Sequence, residues 1–104
     1  MLYIIYQIDG PDSPEIRAAT REAHFKYLDD HEDILVLGGA MLAEDAKTRT
    51  GSVLIINVET LAAAEAFSEN EPFRRAGLFA RVEINRMRRG QWNPAAAPAS
   101  AEGN

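Results

Sequence analysis

The order of apolar runs along this chain limits it to few folds. Four short runs, rich in β-branched and aromatic residues and bounded by turn formers, are predicted strands over residues 2–9, 34–42, 52–58 and 78–87. Helical patterns over residues 14–32 and after Thr60 separate the first strand from the second and the third from the fourth. This order predicts an α+β fold of the ferredoxin-like βαββαβ type, with an antiparallel four-stranded sheet and both helices on one face.

Capping and turn residues mark the ends of these elements. Ser13, followed by a proline, predicts the N-cap of the first helix, and Thr60 predicts the N-cap of the second. Residues 38–39 are both glycine, which predicts a bend or bulge in the second strand. Pro72 and Gly77 bracket a predicted extra turn of helix before the last strand.

The inner strands are apolar on both of their faces. Residues 34–37 are Ile-Leu-Val-Leu and residues 53–56 are Val-Leu-Ile-Ile, whereas an antiparallel sheet with one wet face alternates apolar and polar residues. Both predicted helices cover the same face, so a second copy of the chain is the simplest cover for the other. The sequence therefore predicts at least a homodimer, packed sheet to sheet.

The composition is that of a small globular domain. The 104 residues are 46% hydrophobic and 26% charged, which suits one domain over residues 1–90, and the Pro- and Ala-rich residues 91–104 are predicted to be a flexible tail. The absence of cysteine excludes disulfides, thiolate nucleophiles and cysteine-ligated metal sites. The chain opens on its first strand without a basic leader, and no apolar run approaches the roughly 20 residues of a membrane span, so we expect a cytoplasmic protein.

The charge of the chain bears on its partners. A formal net charge of −5 argues against a nucleic-acid binder or a binder of anionic membranes. Six of the 11 basic residues are arginines between residues 74 and 89, whereas acidic residues cluster at 29–33. One interpretation is that these segments form solvated faces that attract each other, within or between subunits. The other is that the basic segment attracts an anionic small molecule.

The chain has two histidines, both in the first predicted helix. The apolar stripe predicted to face the core consists of Ile16, Ala19, Ala23 and Tyr27. His24 lies at the boundary of this stripe. His31 is about 10 Å further along the helix axis, which is too far for both to hold one metal ion. His31 is predicted to complement the dipole at the helix C-terminus.

A histidine at such a boundary has two interpretations. Histidine titrates near neutral pH, so His24 suits acid–base chemistry if it faces both solvent and a structural partner. The alternative is a packing residue whose ring nitrogens are hydrogen-bonded within the protein.

Several short motifs occur in a fixed order along residues 1–90. They are His24 followed by Tyr27-Leu28 and acidic residues, then Gly38-Gly39, Gly51-Ser52, Glu71-Pro72-Phe73 and Ala76-Gly77-Leu78. In this order and spacing the chain resembles the YCII-related (YciI-like) family. The resemblance implies ferredoxin-like subunits that pack sheet to sheet as a dimeric α+β barrel, and a small cleft with a histidine–aspartate acid–base pair.

The resemblance assigns a catalytic pair. His24 matches the family histidine, and Glu71 stands where the family has the aspartate of an Asp-Pro-Phe or Asp-Pro-Tyr motif. Glutamate keeps the charge and adds a methylene, so the implied acid–base pair is His24 with Glu71. The alternative for Glu71 is an acidic residue at a helix N-terminus, where the helix dipole favours negative charge.

Four further residues are candidates for substrate binding. Arg17 and Arg21 precede His24 by two turns and one turn, and they bind either a substrate carboxylate or phenolate or acidic residues of the chain itself. Ser52 either donates its hydroxyl to a bound oxyanion or caps the start of a strand. Phe73 either forms a wall of a ligand pocket or packs the short turn onto the core.

The resemblance implies a small-molecule enzyme without a metal or organic cofactor. Similar proteins include dehydrochlorinases of chlorinated hydroxyquinols, and the same barrel architecture carries muconolactone isomerases. The implied reaction is therefore a lyase or isomerase step on a small anionic or aromatic catabolic intermediate. The alternative is a non-catalytic dimer that binds a small ligand or a partner protein. A cofactor-free oxygenase would need Asn, Trp and His together, but Trp92 and Asn93 lie beyond the last strand.

Overall fold

A computed structural model describes residues 1–103 of the chain. Its helices and strands are β1 Leu2–Asp9, α1 Ser13–Asp30, β2 Leu35–Leu42, β3 Arg49–Asn57, α2 Leu61–Glu69, α3 Pro72–Arg75 and β4 Phe79–Met87. The short α3 is the predicted extra turn, and the other elements follow in the predicted order.

The strands form one antiparallel sheet with the order β2-β3-β1-β4. The first and third strands are therefore central, as the ferredoxin-like arrangement requires. The predicted α+β ferredoxin-like fold is confirmed.

Alternation along β1 points every second side chain toward the helices. Tyr3, Ile5 and Gln7 are buried, whereas the residues between them are only partly buried. The main core consists of Tyr3, Ile5, Leu54, Ile56, Ala64 and Phe67. Tyr27 and Leu28 of α1 pack against this core, so α1 and α2 lie on the same face of the sheet.

The second strand continues through both of its glycines. Its pairing with β3 shifts register before and after them, at residues 35–37 and 41–42. The predicted irregularity of this strand is therefore present, but it lies on either side of residues 38–39 and not at them. Glycine at position 38 leaves room for a neighbouring side chain, because a Cβ there would lie only 2.7 Å from Cδ2 of Leu54 on the adjacent strand.

The first helix begins one residue earlier than predicted. Asp12 precedes it with a left-handed backbone (φ 61°), and the Asp12 side chain makes no capping hydrogen bond. The hydroxyl of Ser13 donates instead to Oδ2 of Asp9, at 2.5 Å. The prediction of Ser13 as the N-cap is wrong because a carboxylate at the end of β1 offers its hydroxyl a charged acceptor.

The inward face of α1 is largely polar. Ala19 and Ala23, which were expected in the core, are exposed. Buried or partly buried residues at helical spacing include Ser13, Arg17, Thr20, His24, Tyr27, Leu28 and His31. The predicted apolar stripe is wrong at Ala19 and Ala23, whereas Ile16 and Tyr27 are partly buried. This helix turns mainly polar side chains toward the sheet, and apolar spacing does not mark such a face. His24 therefore lies on the inward face.

The predicted signals around α2 and α3 are confirmed. Thr60 caps α2, since its hydroxyl oxygen accepts the N–H of Ala63 at 3.0 Å. The turn α3 begins at Pro72, and Gly77 follows it with φ 79°, a left-handed backbone that favours glycine.

The sheet face turned away from the helices is apolar over β1 and β3, whereas β4 adds Arg81, Glu83 and Asn85 at its edge. It carries Ile4, Tyr6 and Ile8 from β1, with Val53 and Ile55 beside them on β3. All five residues remain partly exposed. The homodimer that the two-sided strands suggest stays a prediction.

Little regular structure follows β4. Residues 88–102 are exposed, and residues 94–96 form a single 3-10 turn. Asn104, the last residue of the predicted tail, lies outside the described residues. No helix within residues 1–103 has the length and apolar character needed to cross a membrane.

Candidate functional site

Two distant segments bring His24 and Glu71 together. His24 lies on the inward face of α1, and Glu71 immediately precedes α3. Nδ1 of His24 forms a hydrogen bond with Oε1 of Glu71. The carboxylate side chain is 1% exposed and the imidazole side chain 13%. The imidazole therefore stands between a buried acid and solvent.

The start of α3 holds the Glu71 carboxylate in place. Glu71 is the N-cap of this turn, and its Oε2 accepts the N–H of Arg74 at 3.2 Å. The guanidinium of Arg74 donates in turn to Oγ of Ser68, at 2.7 Å. One oxygen of Glu71 thus caps a helix and the other holds the imidazole. The contact with His24 and the position at a helix N-terminus, which the sequence left as alternatives for Glu71, therefore occur together.

The contact with Glu71 determines which imidazole nitrogen is free. An ionised carboxylate can only accept, so Nδ1 of His24 carries the hydrogen of this bond, and in the neutral imidazole Nε2 holds the lone pair. Phe73 stacks on the imidazole, with ring centroids 3.9 Å apart and planes inclined by 16°. The contacts with Glu71 and Phe73 thereby fix the orientation of the ring.

A cleft of about 210 Å³ lies beside this imidazole. Five of the six predicted site residues line it: Arg17, Arg21, His24, Ser52 and Phe73. The sixth, Glu71, lies outside the lining and is buried beside His24. Pockets for drug-sized ligands begin at about 300 Å³, so the size of this cleft suits a single small ring.

Arg17 is buried and held by an acidic residue of the chain. Its Nε and Nη2 donate to the two carboxylate oxygens of Asp9, at 2.8 and 2.9 Å. Nη2 also donates to the carbonyl oxygen of Gly51, at 3.1 Å. The guanidinium carbon lies 5.2 Å from the ring centre of Phe73. Arg17 therefore helps to form the cleft with much of its charge already compensated.

Ser52 lies inside β3, because this strand begins at Arg49. The interpretation of Ser52 as a cap at the strand start is therefore wrong. On the neighbouring strand, Nε2 of the buried Gln7 donates to the Ser52 hydroxyl oxygen at 2.8 Å. This bond uses Ser52 as an acceptor, so its hydroxyl hydrogen is free to donate to a molecule in the cleft.

The electrostatic character of the cleft is positive. Arg17, Arg21 and Arg49 belong to its lining, and no acidic residue among those described does. The chain as a whole carries a net charge of −5, so this concentration of arginine is local. Such a cleft attracts anionic ligands.

Residues 1–88 match the YCII-related domain. The chain belongs to the YCII-related family. YciI of Escherichia coli is 36% identical over 91 residues, which cover 81% of this chain and 93% of that protein. An uncharacterized protein of Haemophilus influenzae is 32% identical over 91 residues, with the same coverage of 81% and 93%. The family resemblance found in the sequence is confirmed.

A solved structure also resembles this YCII-related chain. It is the 5-chloro-2-hydroxyhydroquinone dehydrochlorinase TftG of Burkholderia phenoliruptrix AC1100, in complex with 2,5-dihydroxybenzoquinone. The two share 36% sequence identity at a TM-score of 0.78, over 86% of this chain and 96% of the other.

Sequence reasoning missed several residues of the YCII-related site. Phe25, Arg49 and residues 38–40 line the cleft. Residues 38–40 reach it only through the register of β2 on β3, which the sequence does not reveal. Arg49 had an available signal, since it lies in the predicted hairpin close before Ser52. No pattern in the sequence marked Asp9 as part of the site, although its carboxylate accepts hydrogen bonds from Arg17 and holds that side chain in place.

Other candidates of the YCII-related chain lie outside the cleft. Nδ1 of His31 contacts the carbonyl oxygen of Tyr27, at 2.7 Å. The Tyr27 hydroxyl donates to the carbonyl oxygen of Phe67, at 2.8 Å. Burial, and secondarily the nearby charge of Glu71, raise the pKa of Tyr27 above 10.0.

The remaining predictions concern an oxygenase site and metals. Trp92 and Asn93 are exposed after β4 and do not line the cleft, so the structure does not bring them to His24. Within residues 1–103, no three His, Asp or Glu residues form a group that could hold a metal ion.

Proposed function

We propose that this chain is a small-molecule lyase that eliminates HCl from a chlorinated, hydroxylated aromatic ring. His24 carries the proton and Glu71 positions the imidazole. The observation that carries the proposal is the contact of the buried Glu71 with Nδ1, which leaves Nε2 for a cleft rich in arginine. Similarity to a dehydrochlorinase, at 36% identity, supports this class of reaction.

The proposed reaction needs only proton transfers and the departure of chloride. A ring hydroxyl loses its proton to Nε2 of His24, and the imidazolium gives that proton to the ring carbon that bears chlorine. A second hydroxyl then loses its proton to Nε2, its O–H electron pair becomes part of a carbonyl, and the C–Cl pair leaves with chloride. The ring reaches the quinone level with net loss of HCl. No outside oxidant is needed, because chloride departs with the electron pair.

The residues around His24 have defined tasks in this scheme. Glu71 stabilises the imidazolium that forms after each proton uptake. The free hydroxyl hydrogen of Ser52 and the guanidinium of Arg21 stabilise negative charge on the ring oxygens. Phe73, which stacks on His24, limits the position of the ring in the cleft.

The test is turnover of 5-chloro-2-hydroxyhydroquinone without oxygen, followed by chloride release and quinone absorbance. The expected result for His24→Gln is a fall in kcat of about 10²- to 10⁴-fold, the usual contribution of a general acid–base group. His31→Gln is the matched control, because His31 lies outside the cleft lining. It should keep wild-type turnover. Equal turnover by wild-type protein and His24→Gln would contradict the proposal.

The non-catalytic alternative has one observation in its favour. Glu71 caps α3, and this explains its position without chemistry. A protein that only binds would hold 2,5-dihydroxybenzoquinone, in wild type and in His24→Gln alike, and would release no chloride above the protein-free rate. The same assay therefore separates the two functions.

A further inference from the structure

We propose that Arg21, Lys47 and Arg49 form a basic subsite beside the cleft, which binds an oxyanionic substituent on the substrate ring, such as a carboxylate. The inference rests on the proposed function, because it specifies the substrate class of the same site. It adds a second point of recognition to the contacts around His24.

A groove of about 310 Å³ carries the subsite. It is lined by Ser13, Pro14, Arg17, Arg21, Lys47, Thr48 and Arg49. Four of these seven residues are cationic and none is acidic. Arg17 is buried and paired with Asp9, so three exposed cations remain for a ligand.

The three cations have no carboxylate partner among residues 1–103. The ion pairs of lysine and arginine there join Arg17 to Asp9, Lys26 to Asp30 and Arg81 to Glu83. In a chain with 16 acidic residues and a net charge of −5, unpaired cations gathered in one groove favour an external anion.

The acidic residue nearest in sequence to Lys47 and Arg49 is engaged elsewhere. The carboxylate of Asp45 accepts the backbone N–H of Lys47 at 2.9 Å, and it accepts both the backbone N–H and the hydroxyl of Thr48. Nη1 of Arg49 donates to the carbonyl oxygen of Lys47, at 3.2 Å. Asp45 therefore holds the turn that presents the two cations and is not part of the groove lining.

The subsite is continuous with the cleft. Arg17, Arg21 and Arg49 line both the cleft and the groove. A ring placed against His24 and Phe73 can therefore extend a substituent toward Lys47. This continuity favours an anion carried by the substrate over a free anion. Guanidinium groups match the two oxygens of a carboxylate, which makes this the simplest substituent.

The test compares two probes that differ only in a carboxylate: hydroquinone and 2,5-dihydroxybenzoate. Their dissociation constants for the wild-type protein are measured by calorimetry at low salt. We expect the carboxylated ring to bind at least about tenfold tighter, as a charge-assisted hydrogen bond provides. The preference should shrink as the salt concentration rises, because the cations are exposed.

Variants assign the preference to the subsite. Lys47→Gln changes a residue that lines the groove and not the cleft; it should remove about tenfold of the affinity for 2,5-dihydroxybenzoate and leave that for hydroquinone unchanged. Lys26→Gln removes an exposed cation on α1 that lines neither the cleft nor the groove, and it should change neither affinity. Circular dichroism and thermal unfolding confirm that the variants are folded.

Inorganic phosphate, at constant ionic strength, separates a substrate-borne anion from a free one. It should weaken binding of 2,5-dihydroxybenzoate by competition and leave hydroquinone unaffected. Phosphate that strengthens hydroquinone binding would overturn the proposal in favour of a free anion.

Other results would also overturn the subsite. These are equal affinity for the two probes, no binding of either, or an equal loss of carboxylate affinity in Lys26→Gln. The subsite and the lyase activity fail independently. Chloride release without a carboxylate preference contradicts only the subsite, and a carboxylate preference without chloride release contradicts only the lyase.

Discussion

Glu71 serves two partners with its two carboxylate oxygens, and this ties the orientation of His24 to the stability of α3. A carboxylate that is 1% exposed is costly to bury unless hydrogen bonds satisfy it. The N–H of Arg74 satisfies Oε2, and His24 satisfies Oε1. The position of the acid is therefore determined by folding before any ligand arrives.

Shortening Glu71 should affect its cap of α3 and its contact with His24 differently. Glu71→Asp withdraws the carboxylate by one bond, about 1.5 Å. Aspartate is a preferred N-cap, so α3 should keep its cap, whereas the buried oxygen that loses His24 should cost about 1–3 kcal/mol of stability. The imidazole loses its close partner, and a misplacement of about 1 Å can cost 10²-fold, so we expect kcat to fall about a hundredfold. KM should change little because Glu71 does not line the cleft.

The readout for this prediction is kcat and KM for 5-chloro-2-hydroxyhydroquinone, with imidazole ¹⁵N spectra of the resting protein. The spectra should report the Nδ1–H tautomer of His24 in wild type and a tautomer mixture in Glu71→Asp. Wild-type kcat together with an unchanged tautomer would show that the backbone takes up the missing bond length, contrary to the prediction.

At the scale of elements, local chemistry made much of the fold predictable. The alternation of β1, the Thr60 cap and the left-handed Gly77 each follow from the preferences of a few neighbouring residues. The resemblance to the family also led to the two residues that meet in the site, His24 and Glu71.

The residues that hold the site residues in place were not predictable, because their contacts depend on pairing between separate segments of the chain. Gln7 meets Ser52 only through the register of β1 on β3, and Asp9 meets Arg17 only when α1 folds back over the sheet. The inward face of α1 was placed wrongly for a related reason. A helix that turns His24 and arginine toward a cleft lacks the apolar spacing that marks a core face.

The turn between β2 and β3 gives a prediction about pH. Hydrogen bonds from the Thr48 hydroxyl, then from the backbone N–H groups of Thr48 and Lys47, lower the pKa of Asp45 from 3.8 to about 2. Because the folded pKa lies below the unfolded one, this stabilisation is complete above the unfolded pKa. It is lost as the pH falls toward 2.

Carboxyl NMR titration checks this prediction. Thr48→Val removes the first of these hydrogen bonds and should raise the pKa of Asp45 toward its usual value. Thr50→Val is the matched control: Thr50 donates to no atom of Asp45, and the pKa should remain near 2. The explanation is wrong if Thr48→Val leaves the pKa of Asp45 where it was. The turn bears on the proposed subsite because Lys47 lies in it and Arg49 begins the strand that follows it.

At the scale of the whole molecule, the two faces of the sheet differ in what covers them. The helix face is closed by α1 and α2 and holds the core and the cleft. The other face leaves a contiguous group of partly exposed apolar side chains, with Ile4 and Ile55 directly paired at its centre. Contiguous apolar surface of this kind marks an interaction site.

A second copy of the chain is the expected cover, packed sheet to sheet. Light scattering at micromolar concentration should therefore give twice the chain mass of 11.5 kDa. Ile55→Glu places a charge at the centre of this face and should give monomers, because the charge would be buried without a partner. Leu61→Glu, at an exposed apolar position on α2, is the control and should remain dimeric. A wild-type monomer, or equal dissociation of both variants, would mean that something other than a second sheet covers this face.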